Sequence, residues 1–183
     1  MTNQIEITTE RLILKSITPA LIHELFNSRS KEEIINYFGI NDAGYGHYKE
    51  MHKKGMETHR ISIFFFLLIE KESGLPIGEC GFHTWAALHK RAEVFYNIHK
   101  EENKKQGFMG EALQVVLAYG FTELKLHRVE ALIDPLNEPS LKLLLHSGFS
   151  KEGTMREDYV VDGKNEDSDC YSLLKWEWQE KQG

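Results

Sequence analysis

Lys104-Lys-Gln-Gly-Phe-Met-Gly-Glu-Ala-Leu-Gln-Val-Val-Leu117 joins a basic, glycine-containing loop to the start of an amphipathic helix. A strand-like run, Val94 to Ile98, lies just upstream. Such a junction presents free backbone N–H groups and the positive end of a helix dipole, which favour phosphate binding. The segment is not a Walker loop, because no Gly-Lys-Ser/Thr follows, and it lacks the first glycine of a dinucleotide fingerprint. Taken alone, it is equally consistent with an ordinary loop before a helix.

A second informative segment, residues 134–149, reads Asp-Pro-Leu-Asn-Glu-Pro-Ser-Leu-Lys-Leu-Leu-Leu-His-Ser-Gly-Phe. Asn137 is a good helix N-cap, the proline two residues later suits the first turn, and Gly148 is the expected left-handed residue after the last turn. We therefore predict a helix over residues 138–147, with the side chains of Asn137 and Ser140 at its mouth.

The remaining elements surround these two segments. A continuous apolar run, Ile61 to Ile69, predicts a central strand buried on both faces, which requires helices on both sides of the sheet. Strands are predicted over residues 5–17, 60–71, 76–84, 91–99 and 128–133, followed by two C-terminal strands that meet at Asp162-Gly163 and finish the chain. Helices are predicted over residues 19–27, after the capping box Ser30–Glu33, within the weakly patterned segment 39–58, and over residues 108–124.

Together the two segments resemble the acetyl-CoA-binding core of the GNAT acetyltransferases. The first motif of that family is Gln/Arg-x-x-Gly-x-Gly/Ala, and the second is Asn-x-x-Ala/Ser followed by a helix that ends in Gly-Phe. Here Lys104 and Met109 replace the usual residues of the first motif. The chain looks most like the ribosomal-protein N-acetyltransferases (Rim-type enzymes), whose signatures resemble residues 9–15, 110–113, 126–131 and 171–178. The resemblance covers essentially the whole chain.

The resemblance implies a mixed α/β fold with a central, mostly antiparallel twisted sheet of about seven strands and helices on both faces. It also implies acetyl-CoA as cosubstrate, with its pyrophosphate over residues 104–110 and its pantetheine arm beside residues 94–98. A backbone N–H near Asn97 or Ile98 would face the thioester oxygen. The residues expected to bind acetyl-CoA are Asn97, Ile98, His99, Lys104, Lys105, Gln106, Gly107, Phe108, Met109, Gly110, Asn137 and Ser140.

The catalytic groups are less clearly marked. Many members of the family carry, seven residues after Asn137, a tyrosine that protonates the departing CoA thiolate, and this chain has Leu144 there. Ser140 is the substitute that we consider, because the Rim-type enzymes resemble this chain in having serine at that place. Glu93, early in its strand, and Glu79, on a neighbouring strand, are the candidates for general base. Either one is also consistent with a strand carboxylate paired to a cation such as Arg91.

The acceptor is expected to be a primary amine that attacks acetyl-CoA directly in a ternary complex. We favour a protein N-terminal α-amine, because deprotonating an amine with a pKa near 7.8 at pH 7 costs about 1 kcal/mol, against about 4.6 kcal/mol for a lysine. A cationic acceptor would be attracted to the acidic C-terminal hairpin, although that hairpin is equally consistent with a solvated surface. Two alternatives stay open: an acetyltransferase for a small amine such as a polyamine, amino sugar or amino acid, and a non-catalytic acyl-CoA-binding protein.

Length and composition narrow the class of protein further. A chain of 183 residues is typical of a single domain, here 1–183, and its net charge of −6 argues against general nucleic-acid binding. The longest apolar run is too short to span a bilayer, so we expect no membrane association. Cys80 and Cys170 are the only cysteines and no signal peptide is evident, which predicts a cytoplasmic protein with free thiols. No histidine pair has zinc spacing near a cysteine, so no metal is expected, and homo-oligomerisation is left open.

Overall fold

One eight-stranded sheet runs through the part of the protein that the computed structural model describes, residues 4–54 and 63–182. The strands are β1 (Glu6–Thr8), β2 (Leu12–Ile17), β3 (Phe64–Glu70), β4 (Pro76–Ala86), β5 (Arg91–Ile98), β6 (Arg128–Ile133), β7 (Ser150–Val161) and β8 (Lys164–Leu174). Their order in the sheet is β1-β2-β3-β4-β5-β6-β8-β7. All neighbouring strands are antiparallel except β5 and β6, which run parallel. The mixed, mostly antiparallel sheet predicted from the sequence is therefore confirmed.

Helices cover both faces of this sheet. They are α1 (Pro19–Ser28), α2 (Lys31–Phe38), α3 (Asp42–Lys54), α4 (Phe108–Thr122), α5 (Glu138–Ser147) and α6 (Lys175–Gln182). None of the helices within residues 4–54 and 63–182 is long and apolar enough to cross a membrane.

Strand β3 has apolar side chains on both faces of the sheet, and helices bury both of them. Its alternate side chains Phe66 and Leu68 belong to a core shared with α4 and α5, whereas Phe65 and Leu67 belong to a second core shared with α1, α2 and α3. All four are almost completely buried. Burial of a continuous apolar strand on both faces is the arrangement that its sequence predicts. The first part of that predicted strand, residues 60–62, lies outside the described residues.

The sheet has eight strands where about seven were expected, because residues 5–17 form a hairpin of two strands rather than one strand. Strands β1 and β2 pair directly, with Glu6 opposite Lys15. The turn between them is held from elsewhere in the chain: the carboxylate of Glu111 accepts hydrogen bonds from the Thr9 hydroxyl at 2.6 Å and from the Arg11 N–H at 2.8 Å. No glycine or proline marks this turn, so the local sequence carries little signal for it.

The C-terminus also differs from the prediction, because α6 follows the last strand. The Glu177 carboxylate accepts the N–H of Leu174 at 2.8 Å, which ends the strand and starts the helix. Trp178 then stacks on Phe121 of α4, with ring centroids 5.3 Å apart. Within the segment 39–58, the predicted helix is α3, and residues 55–58 lie outside the described part of the chain.

A close approach of β3 and β4 yields a first prediction. A methyl group at Gly81 would lie 2.2 Å from Cβ of Phe65, a contact that real structures do not make. We expect Gly81→Ala to lower the free energy of unfolding by about 2 kcal/mol, since overpacking a filled core costs about 1–3 kcal/mol. Urea denaturation measures this difference. Gly153→Ala is the matched control, because no described atom lies within 4 Å of the added group, and an equal loss there would contradict the packing explanation.

Candidate active site

The site begins where β5 and β6 separate. Their parallel pairing consists of three register pairs, which end at Glu93 opposite Glu130. Beyond Glu93, strand β5 remains paired with β4 as far as Ile98, but it has no register partner on β6 among the described residues. The sheet is therefore open along residues 94–98, the segment beside which the resemblance places the pantetheine arm.

The register decides which backbone groups face the opening. The N–H of His99 donates to the carbonyl of Ile77 on β4 at 2.9 Å. Because alternate residues of a strand direct their backbone groups to opposite sides, Asn97 also points its N–H toward β4, whereas Tyr96 and Ile98 point theirs into the gap. Of the two residues predicted to face a thioester oxygen, the register thus favours Ile98 over Asn97. Tyr96 is a second candidate that the sequence reasoning missed.

A cavity of about 450 Å³ lies on the α4 side of the opening, and we call it the loop-side cavity. It brings together most of the residues predicted to bind acetyl-CoA, with four further residues that were not predicted. The predicted members are Asn97, Ile98, Lys104, Lys105, Gly107, Phe108, Met109, Gly110, Asn137 and Ser140, and the additional members are Tyr96, Asn103, Pro139 and Leu143. Gln106 and His99 do not line it.

The loop that forms this cavity is shaped by Gly107 and by Arg11. Gly107 is the N-cap of α4 and has a left-handed backbone with φ of +83°. The Arg11 guanidinium donates to the Gln106 carbonyl at 2.8 Å and pairs with the Glu111 carboxylate at 2.8 Å, which fastens the loop to the N-terminal hairpin. The Gln106 side chain turns back to the Glu102 carbonyl, and this accounts for its absence from the cavity.

The electrostatics of the loop suit an anion. The first-turn N–H groups of α4, at Phe108, Met109 and Gly110, have no acceptor within the helix. Lys104 pairs with Glu101, whereas Lys105 makes no ion pair with any residue in the described ranges. A helix N-terminus beside a lysine that has no ion pair in the described part of the chain suits the binding of a phosphate group.

A second cavity, of about 480 Å³, lies across the opening, and we call it the hairpin-side cavity. Its lining includes three carboxylates, those of Glu93, Asp134 and Asp158, together with His83, Tyr159 and Ser168 from β4, β7 and β8. Three residues, Tyr96, Asn137 and Ser140, line both cavities. The two cavities therefore meet at these three side chains.

Glu93 is a carboxylate of the hairpin-side cavity whose pKa lies near neutrality. Burial, together with the nearby carboxylates of Glu130 and Asp158, raises the pKa of Glu93 to about 7. Its carboxylate lies 3.7 Å from Nε2 of His83, whose own pKa is lowered by burial. The sequence offered Arg91 as a structural partner for Glu93, but Arg91 pairs instead with Glu130 at 2.6 Å. Glu93 is consequently available to exchange a proton near neutral pH.

Glu79, the other candidate base, lies in a different cavity with His99. Its carboxylate accepts a hydrogen bond from the hydroxyl of Tyr48, which is buried in the core beneath α1, α2 and α3. Burial is also the main cause that raises the pKa of Tyr48, so the proton stays on the tyrosine. The structure does not bring Glu79 or His99 together with Ser140. Strand alternation carried a signal for His99, because its side chain lies on the opposite face of the strand from those of Tyr96 and Ile98, which pack toward α4 and α5.

Helix α5 begins and ends as its sequence predicts. The Asn137 side chain accepts the N–H of Ser140 at 3.1 Å, and Gly148 ends the helix with φ of +97°. Leu144 is fully buried in the core between α4 and the sheet. The position at which the resemblance implies a tyrosine thus faces the core, and Ser140 is the hydroxyl that α5 contributes to both cavities.

The comparisons with known proteins agree with this geometry. Residues 11–150 match the family model described as the acetyltransferase (GNAT) domain. The chain is 34% identical to the uncharacterized N-acetyltransferase YoaA of Bacillus subtilis (strain 168) over 177 residues, which cover 91% of this chain and 95% of that one.

Two solved structures share the fold. A spermidine/spermine N-acetyltransferase from Vibrio cholerae superposes with a TM-score of 0.72 at 20% identity, over 96% of this chain and 100% of that one. A ribosomal-protein-S5-alanine acetyltransferase from Vibrio fischeri superposes with a TM-score of 0.66 at 21% identity, over 95% and 98%.

The protein belongs to the GNAT acetyltransferase family. Membership implies that it is an N-acetyltransferase that uses acetyl-CoA and an amine acceptor.

Proposed function

We propose that this protein transfers the acetyl group of acetyl-CoA to a protein N-terminal α-amine by direct attack in a ternary complex. The observation that carries the proposal is the gap between β5 and β6, where two cavities of different chemistry meet. The loop-side cavity has the cationic, N–H-rich lining that acetyl-CoA needs. The hairpin-side cavity has the acidic lining that attracts a cationic amine.

On the loop side, the first-turn N–H groups of α4 and the side chain of Lys105 would hold the pyrophosphate. The pantetheine arm would lie along the open edge of β5, where the N–H groups of Tyr96 and Ile98 have no β6 partner within the described structure. One of these two groups would donate to the thioester oxygen and stabilise the negative charge that develops there. Removal of one such donor typically costs about 3 kcal/mol of transition-state stabilisation.

Glu93 is the proposed general base. A base works best when its pKa lies near the working pH, and the pKa of Glu93 is raised to about 7. Its carboxylate lines the hairpin-side cavity, so it faces the side from which the amine would approach.

Ser140 is the proposed donor to the departing thiolate. A serine at this place resembles the Rim-type enzymes, which supports a protein α-amine as the acceptor. Such an amine needs only about 1 kcal/mol for deprotonation at pH 7.

An aliphatic polyamine is the second candidate acceptor, and one observation favours it. Three carboxylates, those of Glu93, Asp134 and Asp158, line the hairpin-side cavity. Asp169 of the same hairpin is not available to an acceptor amine, because its carboxylate accepts hydrogen bonds from Lys151 and Thr154. A spermidine/spermine N-acetyltransferase is also among the proteins of the same fold.

A thiol-release assay with acetyl-CoA tests the proposal and separates the two acceptors. The panel contains peptides with free N-termini, the same peptides with blocked N-termini and an internal lysine, and spermidine. We expect turnover of free N-terminal peptides and its loss on blocking. Turnover of spermidine alone would overturn the protein acceptor in favour of the second candidate. Acetyl-CoA binding without turnover of any amine would indicate a binding protein instead.

The role of Ser140 gives a further prediction. Ser140→Ala should lower kcat by about tenfold with little change in the KM for acetyl-CoA, the pattern of an interaction made mainly in the transition state. Steady-state kinetics with the best acceptor measure both constants. Ser147→Ala is the matched control, because that hydroxyl lies at the other end of α5 and donates to the Leu143 carbonyl. Full activity of Ser140→Ala would remove Ser140 from the chemical step.

A further inference from the structure

Tyr96 places a second hydroxyl at the junction of the two cavities. Strand alternation directs its side chain to the same face as Val94 and Ile98, against the core of α4 and α5. Its register partner on β4 is the fully buried Cys80. The hydroxyl oxygen of Tyr96 is shielded from solvent and has no hydrogen-bond partner within residues 4–54 and 63–182. A buried hydroxyl without a partner is costly, so a hydrogen-bond acceptor placed beside this group would stabilise it.

The neighbour of this hydroxyl is Ser140. The pKa of Tyr96 is raised mainly by burial, and the nearby side chain of Ser140 opposes that rise. Both side chains line both cavities, so the two hydroxyls lie at one junction, although they form no hydrogen bond with each other within the described structure. The backbone N–H of Ser140 is held by Asn137, which fixes the first turn of α5 and keeps the serine at the junction.

We propose that Tyr96 is a positioning residue that donates its hydroxyl proton to the Ser140 oxygen and thereby directs the serine hydroxyl onto the sulfur of CoA. The inference rests on the proposed function and adds a residue to it. It also explains how the chain can work with Leu144 in the core, because the aromatic hydroxyl comes from β5 instead of α5.

The proton balance of the step is complete. The amine nitrogen bonds to the acetyl carbon, and the carbon–sulfur bond breaks with its electron pair on sulfur. Ser140 gives its proton to the sulfur and takes the proton of Tyr96. Tyr96 is reprotonated through the cleft by the proton that the amine nitrogen releases to Glu93. The net change is one proton moved from nitrogen to sulfur, and the three side chains return to their starting state.

Binding of CoA and of desulfo-CoA, measured by calorimetry at pH 8.5, tests the pair without any acceptor. A hydroxyl donor aimed at the sulfur stabilises the thiolate, so the wild-type protein should bind CoA about tenfold more tightly than desulfo-CoA. Tyr96→Phe keeps the ring and should reduce this ratio to about twofold or less, with unchanged affinity for desulfo-CoA. Tyr119→Phe is the matched control, because its ring stacks on Phe64 outside both cavities, and it should keep the wild-type ratio.

Equal affinity of the wild-type protein for the two ligands would overturn the Tyr96 inference and leave the proposed function standing. Failure to bind either ligand would overturn the proposed function and the inference with it.

A double-mutant cycle on kcat tests the coupling between Tyr96 and Ser140 independently of ligand binding. Tyr96→Phe should lower kcat by about tenfold, and its combination with Ser140→Ala should lose no more than Ser140→Ala alone, because Tyr96 acts through Ser140. Losses that multiply in the double variant would contradict the relay.

Discussion

Glu93→Gln is expected to reduce kcat/KM by about 100-fold for an acceptor amine that titrates near 10, and by no more than about tenfold for a peptide α-amine. The difference arises because general-base catalysis is worth about 10²–10⁴-fold, and its full value is needed only where the amine holds its proton strongly. Steady-state kinetics with spermidine and with a free N-terminal peptide measure both effects. Glu79→Gln is the matched control: its carboxylate is bonded to Tyr48 in another cavity, and we expect a change below about threefold.

The pH profile tests the same residue through its ionisation. The pKa of Glu93 is raised to about 7, and only the deprotonated carboxylate can accept a proton. With the wild-type protein, log kcat/KM should therefore rise with a slope near two below pH 7 and near one between pH 7 and the pKa of the amine. In Glu93→Gln the slope should be near one throughout. An inflection near pH 7 that persists in this variant would assign it to another group.

Stability provides a folding control for this variant. A carboxyl whose pKa is higher in the folded than in the unfolded protein destabilises the fold as pH rises from about 4.5 to about 7. Glu93→Gln mimics the protonated form. It should unfold like the wild-type protein at pH 4 and be more stable than the wild-type protein at pH 8. Lower stability at both pH values would mean that the loss of activity reflects damage to the fold.

Gly107→Val should weaken the binding of acetyl-CoA by about 30-fold, measured by calorimetry. Gly107 has φ of +83°, a conformation that costs a residue with a side chain about 1–2 kcal/mol and a β-branched residue more. The loop would rearrange to relieve this strain, and the first-turn N–H groups of α4 would lose their common direction. A difference of 1.4 kcal/mol corresponds to a tenfold change in affinity.

The control for this prediction is Gly163→Val, in the turn between β7 and β8. Gly163 has a similar φ of +78° and open space around it, and it lines neither cavity. It should lose comparable stability through backbone strain but bind acetyl-CoA normally. Unchanged affinity in Gly107→Val would remove the loop from the site.

Features that depend on neighbours in the sequence were predicted well. The Ser30 capping box, the Asn137 cap and the left-handed Gly148 are short-range hydrogen-bond patterns, so the residues themselves specify them. The loop before α4 and the start of α5 were predicted for the same reason. The turn at Thr9 was not predicted, because it depends on Glu111, about a hundred residues away. The start of α6 was not predicted either, because its sequence resembles an extended segment and the helix begins only where the Glu177 carboxylate accepts the N–H of Leu174.

The candidate site was only partly predictable, because it is assembled across strands. Which face of a strand a side chain occupies follows from alternation, but which neighbour its backbone bonds to follows from register. For this reason the sequence does not separate Asn97 from Ile98 and does not indicate Tyr96. The acidic lining around Glu93 joins β5 to the turn at Asp134 and to β7, three segments that no local pattern connects.

The short pairing between β5 and β6 has a thermodynamic consequence. Three register pairs connect the two parts of the sheet, so the described strands leave backbone groups along residues 94–98 without partners on one side. A molecule that lies in the gap and bonds to those groups completes the sheet as an additional strand would. Its binding energy then contributes to folding, by about 2.7 kcal/mol at a concentration 100 times its dissociation constant. The free energy of unfolding would therefore increase with the concentration of free acetyl-CoA.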